Sequence, residues 1–184
     1  PVMVLADADV EAAAAGAAQA IFFNQGQVCT AGSRIYVHES IHDAFVTKLA
    51  EQAQGLTLAP GWEPTCTLGP LVSAKQQHRV LAYIEQARSD GGTIVTGGGK
   101  GSETEELVLL ANDAPYGLAA SIWSNDLAAV NRLVPEIESG SVWINGHNLL
   151  DACMPFGGFK QSGIGRELGD SLIEHYTEQK SVVM

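Results

Sequence analysis

The chain has few cysteines, few cations and no long apolar run, and each shortage closes off a class of protein. Its three cysteines, Cys29, Cys66 and Cys153, are irregularly spaced and include no CxxC pair. That excludes a disulfide framework and points to a reducing compartment, the cytoplasm. Ten Lys and Arg against 21 Asp and Glu leave a net charge of -11 with no basic cluster, which argues against a nucleic-acid partner. No apolar stretch reaches membrane-spanning length, so no membrane partner is expected. The five histidines, His38, His42, His78, His147 and His175, show no HExxH or paired-ligand spacing, and no metal centre is expected. No internal repeat or low-complexity tract is visible.

What is present is globular. Hydrophobic residues make up 46% of the 184 positions and charged ones 17%, spread without long blocks, enough for one domain or one large domain with a small appendage. The amino end, PVMVLADAD, reads as a buried strand running into a helix cap rather than as a cleavable signal. A chain that opens inside a strand is expected to have a natural start further upstream.

Strands and helices alternate. Asp9 is positioned to cap a helix over EAAAAGAAQAIFF, which Asn24 to Gly26 stop, and Arg34 to His38 form a β-branched, aromatic strand. Ser40 is expected to cap a second helix, with Ile41, Phe45, Leu49 and Ala53 along one face and Gly55 at its end. After a proline-rich connector, Ser73 begins a third, with Val80, Ile84 and Ala87 on one face, closed by Asp90, Gly91 and Gly92. A short strand at 93–95, a helix over ETEELVLLAN, a strand LAASIW, a helix capped by Asp126 and broken near Pro135, and a strand SVWIN follow. From Gly146 to Gly169 the chain is glycine-rich and irregular, before a short helix over Leu168 to His175 and a terminal apolar strand. This is the βαβ pattern of an α/β fold, a parallel doubly wound sheet with helices on both faces.

Cys29 lies in the run FFNQGQVCTAGSR, in a glycine-bearing turn between the first helix and the second strand. Such a turn can hold a thiol open to a substrate, and the thiolate is the nucleophile. A small buried cysteine that merely packs is the plain alternative. A cysteine-histidine hydrolase with His147 or His175 as base is a second one. The glycines Gly163, Gly165 and Gly169 have the spacing of a dinucleotide loop but follow PFGGFKQS rather than a buried strand, and GGGKG lacks the Ser or Thr of a phosphate loop after Lys100.

The segment FFNQGQVCTAGSR resembles the nucleophile signature FxNxGQxCxAxxR of the NAD(P)-dependent aldehyde dehydrogenases. LANDAPYGLAASIW, SGSVWING, PFGGFKQSGIGRELG and the ending YTEQKSVV resemble further motifs of the same family, in the family's order. The resemblance implies that residues 1–175 belong to the family's catalytic domain and 176–184 form a C-terminal oligomerisation strand. It implies that the Cys29 thiolate adds to an aldehyde, that the adduct gives hydride to NAD or NADP, and that a thioester is then hydrolysed to a carboxylic acid. Phe23, Val28, Thr30, Leu150 and Phe156 match residues lining an apolar aldehyde tunnel, which suits an aromatic or alkyl aldehyde better than a cationic one. Gln76 matches a residue that contacts the cofactor ribose, against its plain reading as a solvated helix position. Glu167 matches a proton-relay glutamate, against a surface or capping carboxylate. The branch that looks most similar is the aryl-acetaldehyde one, and the implied assembly is a homodimer or homotetramer.

Departures from the family pattern matter as much. Relatives carry a further block with an EExFGP motif where this sequence runs from Gly101 into Ser102. Either the block is deleted or this sequence omits it, and exposure of the sheet core favours omission. The general-base glutamate, the asparagine donor to the oxyanion and the cofactor domain would all lie before Pro1. The expectation is a chain that forms a thiol adduct without completing hydride transfer.

Overall fold

The computed structural model describes residues 1–93 and 111–184. Four parallel strands form the main sheet: β1 (Val2–Val4), β2 (Ile35–Val37), β4 (Ala119–Trp123) and β5 (Ser141–Ile144), in the spatial order β2-β1-β4-β5. A small antiparallel pair joins β3 (Tyr116–Gly117) to β6 (Phe159–Lys160). Every residue of β1 is buried, as befits a strand covered on both faces, and its run of apolar residues follows from that position.

Side-chain alternation divides the core. Val2 and Val4 pack with Ala13, Ala14 and Ala17 of α1 (Val10–Phe22) and with Phe45 and Leu49 of α2 (His42–Gln54). Met3 and Leu5 face the other way, against Ala129, Val130 and Leu133 of α4 (Leu127–Leu133). The connection β1-α1-β2 runs to one side of β1 and β4-α4-β5 to the other, so the helices cover opposite faces and a topological switch point falls between β1 and β4.

Local chemistry sets the helix ends. Asp9 Oδ1 accepts the Ala12 N–H at 3.0 Å to start α1, and Asp126 accepts two N–H groups at the start of α4. Pro135 ends α4, which tightens into a 3-10 turn over Val134–Glu136. Ser73 Oγ accepts the Gln76 N–H at 3.2 Å at the start of α3 (Ala74–Ser89). Ser40 does not cap α2: His38 Nδ1 accepts the Ser40 N–H and a 3-10 turn over Glu39–Ile41 leads into the helix. The imidazole two residues earlier reaches that amide, so the cap shifts upstream.

Three expectations end differently. The apolar face of α3 does form, but Val80, Leu81, Tyr83 and Ile84 remain exposed, and no residue of α3 is buried against the described chain. Of residues 176–184, expected as a terminal strand, Tyr176 ends the closing helix and 177–184 pair with no strand among the described residues, with Val182, Val183 and Met184 exposed. The closing helix is shorter than expected, α5 (Leu172–Tyr176). The expected strand at 93–95 and the helix over ETEELVLLAN fall almost entirely outside the described residues, as does GGGKG. No described helix is long and apolar enough to cross a membrane.

Candidate functional site

The end of α1 aims the chain at the site. Asn24, Gln25 and Gly26 take φ values of 48°, 57° and 72° in succession, a left-handed run that reverses direction at once. Asparagine and glycine accept that region at little cost. The Asn24 amide then donates to the Gln27 carbonyl at 3.1 Å. A turn follows, closed by Ala31 N–H to Val28 C=O at 3.0 Å, with Cys29 and Thr30 at its two central positions. Gly32 ties the exit back to α1, its N–H donating to Ala20 C=O at 3.0 Å; a Cβ there would lie 2.9 Å from both Ala20 Cβ and Val2 Cγ2.

Cys29 is exposed and stands at a cavity of about 500 Å³ lined also by Thr30, Ser33, Arg34, Tyr116 and Gln161. The cavity opens where the sheet strands begin, beside Pro1 and Ala119. No described acceptor takes the Cys29 backbone N–H, which leaves it available to an oxyanion formed on a carbonyl attacked by the thiolate. Arg34 fixes one wall, its guanidinium donating to Asp113 C=O at 2.8 Å and Ala111 C=O at 3.1 Å.

The other wall of the turn is a loop 117 residues away. His147 Nε2 lies 2.7 Å from Thr30 C=O and Nδ1 lies 3.1 Å from Ser121 Oγ. A carbonyl only accepts, so Nε2 carries the proton and donates, and Nδ1 accepts from the Ser121 hydroxyl. Burial pushes the His147 imidazole below its usual range, against the opposing pull of the Thr30 carbonyl, so the neutral ring with this tautomer is the form at neutral pH. The Thr30 hydroxyl donates to Asn148 Oδ1. Neither the Thr30 nor the Ser121 partnership has a signature in the sequence, because each joins residues more than twenty positions apart through a sheet whose order must first be known.

The two histidines considered as bases are therefore occupied. Both nitrogens of His147 are engaged away from the thiol, and His175 Nε2 accepts the Arg166 backbone N–H at 3.2 Å. No described histidine lines the Cys29 cavity.

Of the residues matched to an aldehyde tunnel, Thr30 lines the cavity of Cys29; Phe23, Val28, Leu150 and Phe156 do not. Phe23 and Leu150 are exposed, 59% and 64%, while Val28 and Phe156 are half-buried. Phe156 is held by Glu167: the two backbones exchange hydrogen bonds of 2.6 and 2.7 Å. The Glu167 side chain is exposed and outside the cavity. Gln76 is half-buried in the first turn of α3.

A dinucleotide cradle does not form from these residues. Gly163, Gly165 and Gly169, at φ 116°, 86° and 65°, lie in irregular chain rather than at the start of a βαβ helix. The switch point between β1 and β4 holds the Asp7 carboxylate, which accepts from Ser124 Oγ at 2.8 Å and Asn125 N–H at 2.8 Å. An anion already takes the donors that a pyrophosphate would need there. Among the described residues no group of three His, Cys, Asp or Glu side chains could hold a metal ion.

Comparison with known proteins finds matches along the whole chain. A model of the aldehyde dehydrogenase family matches residues 1–105 and 100–182. Phenylacetaldehyde dehydrogenase of Pseudomonas fluorescens is 42% identical over 222 positions, covering 100% of this chain and 44% of that protein. A betaine aldehyde dehydrogenase of Cereibacter sphaeroides is 37% identical, covering 99% and 45%. The structure superposes on the NAD+ complex of a Bacillus cereus aldehyde dehydrogenase with a TM-score of 0.90 at 39% identity, covering 99% of this chain and 44% of that one. Against P. syringae indole-3-acetaldehyde dehydrogenase in complex with NAD+ and IAA the TM-score is 0.92 at 36% identity, covering 99% and 45%. The chain thus spans less than half the length of these relatives. The first alignment runs 222 positions against 184 residues, and the two family matches meet near residue 100, so the relatives carry positions that this sequence lacks.

Proposed function

The chain belongs to the aldehyde dehydrogenase family, and from that premise we propose that it is the thiol-bearing catalytic portion of an enzyme that oxidises an aromatic or aryl-acetaldehyde to its carboxylic acid. The observation that carries this reading is an exposed Cys29, at the centre of a tight turn, facing a cavity large enough for a small aldehyde. The Cys29 sulfur bonds to the aldehyde carbon, the thiol proton leaves to solvent, and the carbonyl oxygen becomes an alkoxide to which the Cys29 N–H can donate. NAD or NADP, when bound to the whole enzyme, would supply the hydride acceptor. The described residues build no dinucleotide cradle, so no step through the cofactor is assigned to them beyond Gln76 as a candidate ribose contact. Phe23, Val28, Thr30, Leu150 and Phe156 remain the candidate tunnel, and Glu167 a candidate proton relay. The similarity to phenylacetaldehyde dehydrogenase supports the aryl-acetaldehyde branch. Three free thiols fit a cytoplasmic setting.

The alternative reading is a non-catalytic structural unit that oligomerises by strand addition, and the same strand addition also fits the catalytic reading. Residues 176–184 end in exposed Val182, Val183 and Met184, and we assign them to strand addition on a neighbouring subunit in a homodimer or homotetramer, with residues 1–175 as the catalytic unit.

The test is protection from alkylation. Phenylacetaldehyde added to the purified chain is expected to slow iodoacetamide modification of Cys29 while leaving Cys153 and Cys66 unaffected, read by peptide mass mapping, and to yield no NADH from added NAD. Equal effects on all three thiols would refute the site, and robust aldehyde-dependent NADH would refute the incompleteness of the chain.

A further inference from the structure

The loop after β5 is anchored more firmly than its glycine and asparagine content suggests. Asn145, at φ 51°, clasps the end of β4 with its amide: Oδ1 accepts the Ser124 N–H and Nδ2 donates to the Ser124 carbonyl, both at 2.9 Å. Trp143 Nε1 donates to Leu149 C=O at 2.7 Å and closes the loop on itself. The Trp143 and His147 rings lie 4.9 Å apart. Trp143 is the cross-strand partner of Ser121, so the indole and the hydroxyl that orient His147 project from neighbouring strands onto the same face of the sheet. That face also carries α1, whose end delivers the Cys29 turn.

From this scaffold two polar groups reach the nucleophile turn and both meet Thr30: His147 at its carbonyl and Asn148 at its hydroxyl. We propose that His147 and Asn148 are positioning residues that clamp the Cys29 turn through Thr30, so that the direction of the thiol is set by the sheet rather than by the turn alone. Within the turn itself the closing bond is Ala31 N–H to Val28 C=O, which holds the peptide plane before Cys29, while the Cys29 carbonyl and the Thr30 N–H of the next plane take no described partner. The clamp fixes the plane on the C-terminal side of Thr30 and the side chain of that residue. Neither group touches the sulfur, and their action is through geometry. The inference deepens the thiol reading above and rests on it for its catalytic meaning.

Rate measurements on Cys29 itself test the clamp. Iodoacetamide alkylation is followed across neutral and mildly alkaline pH in the full chain, with Cys153 in the same sample as internal reference. His147→Phe keeps a ring against Trp143 and removes both hydrogen bonds; it is expected to lower the Cys29 rate on the order of tenfold and to displace its pH-rate profile, with Cys153 unchanged. His147→Gln, which restores a donor toward Thr30, is expected to recover most of the loss. Asn148→Gly keeps the left-handed backbone at φ 57°, drops only the amide and gives the second arm should His147→Phe fail to fold; it is expected to lower the Cys29 rate alone. A folded His147→Phe with the wild-type rate and profile, a His147→Gln that recovers nothing, or an Asn148→Gly indistinguishable from wild type overturns the clamp. Failure of the aldehyde reading shows separately, as absent protection by phenylacetaldehyde in the wild-type chain.

Discussion

Replacing Gly16 with alanine sets two known effects against each other. Gly16 faces Trp123 from the middle of α1, and a Cβ at that position would lie 2.2 Å from Cζ2, 2.3 Å from Cη2 and 3.3 Å from Cε2 of the indole. Carbon atoms in ordinary contact are about 3.5–4.0 Å apart, so the overlap exceeds an ångström and the ring must shift. Trp123 is 7% exposed and belongs to the core formed with Val2, Val4 and α1, which leaves it little room. Alanine favours the helix over glycine by about 1 kcal/mol, whereas overpacking a dense core costs about 1–3 kcal/mol. The size of the overlap places the cost at the upper end, for a net loss of about 2 kcal/mol. At about 2–4 °C per kcal/mol for a chain of this length, Tm should fall by about 4–8 °C. Ala15 is exposed on the same helix, and Ala15→Gly should cost about 1 kcal/mol by propensity alone. Urea unfolding of both variants checks the pair: opposite exchanges on one helix should both destabilise. A Gly16→Ala chain as stable as wild type would show that the α1–Trp123 packing is looser than described.

Acid should loosen the junction of β1 and β4. The Ser124 hydroxyl, followed by backbone N–H groups including that of Asn125, holds the Asp7 carboxyl below its usual range. A depressed folded pKa gives stability that is full above the unfolded pKa and is lost as pH falls through the folded one. Urea midpoints taken on acidification should therefore decline less steeply in Asp7→Asn than in wild type, and parallel curves would refute the assignment. Phe45 is 1% exposed between α2 and the α1 face of the sheet. Phe45→Ala should cost about 3–5 kcal/mol in the same measurement, and a loss under 1 kcal/mol would mean the cavity collapses freely.

Legibility in the sequence tracked how local each feature is. The Asp9, Ser73 and Asp126 caps were readable because donor and acceptor lie within three residues, and the break at Pro135 because the ring itself removes a donor. The alternation of β1 with α1 and of β4 with α4 was readable from caps, helix-forming composition and apolar spacing, all of them local. Ser40 misled because it sits inside the 3-10 turn Glu39–Ile41, which His38 caps by accepting the Ser40 N–H, and so does not stand at the start of α2. The terminal SVVM and the apolar stripe of α3 have sequences that want burial, yet what would cover them is not among the described residues. The tunnel residues were named one by one through resemblance, and only Thr30 shares the cavity with the thiol.

The amino-acid order on its own determined that this is an α/β chain with two-sided helical cover and that position 29 offers a thiol in a turn between helix and strand, since those features depend on spacing and residue type over a dozen positions. Which groups hold that turn was decided by the fold. His147 meets both Ser121 and Thr30, and Asn148 meets Thr30, only because β4 lies between β1 and β5 in the sheet, and strand order arises from the packing of whole helices, which no short segment encodes.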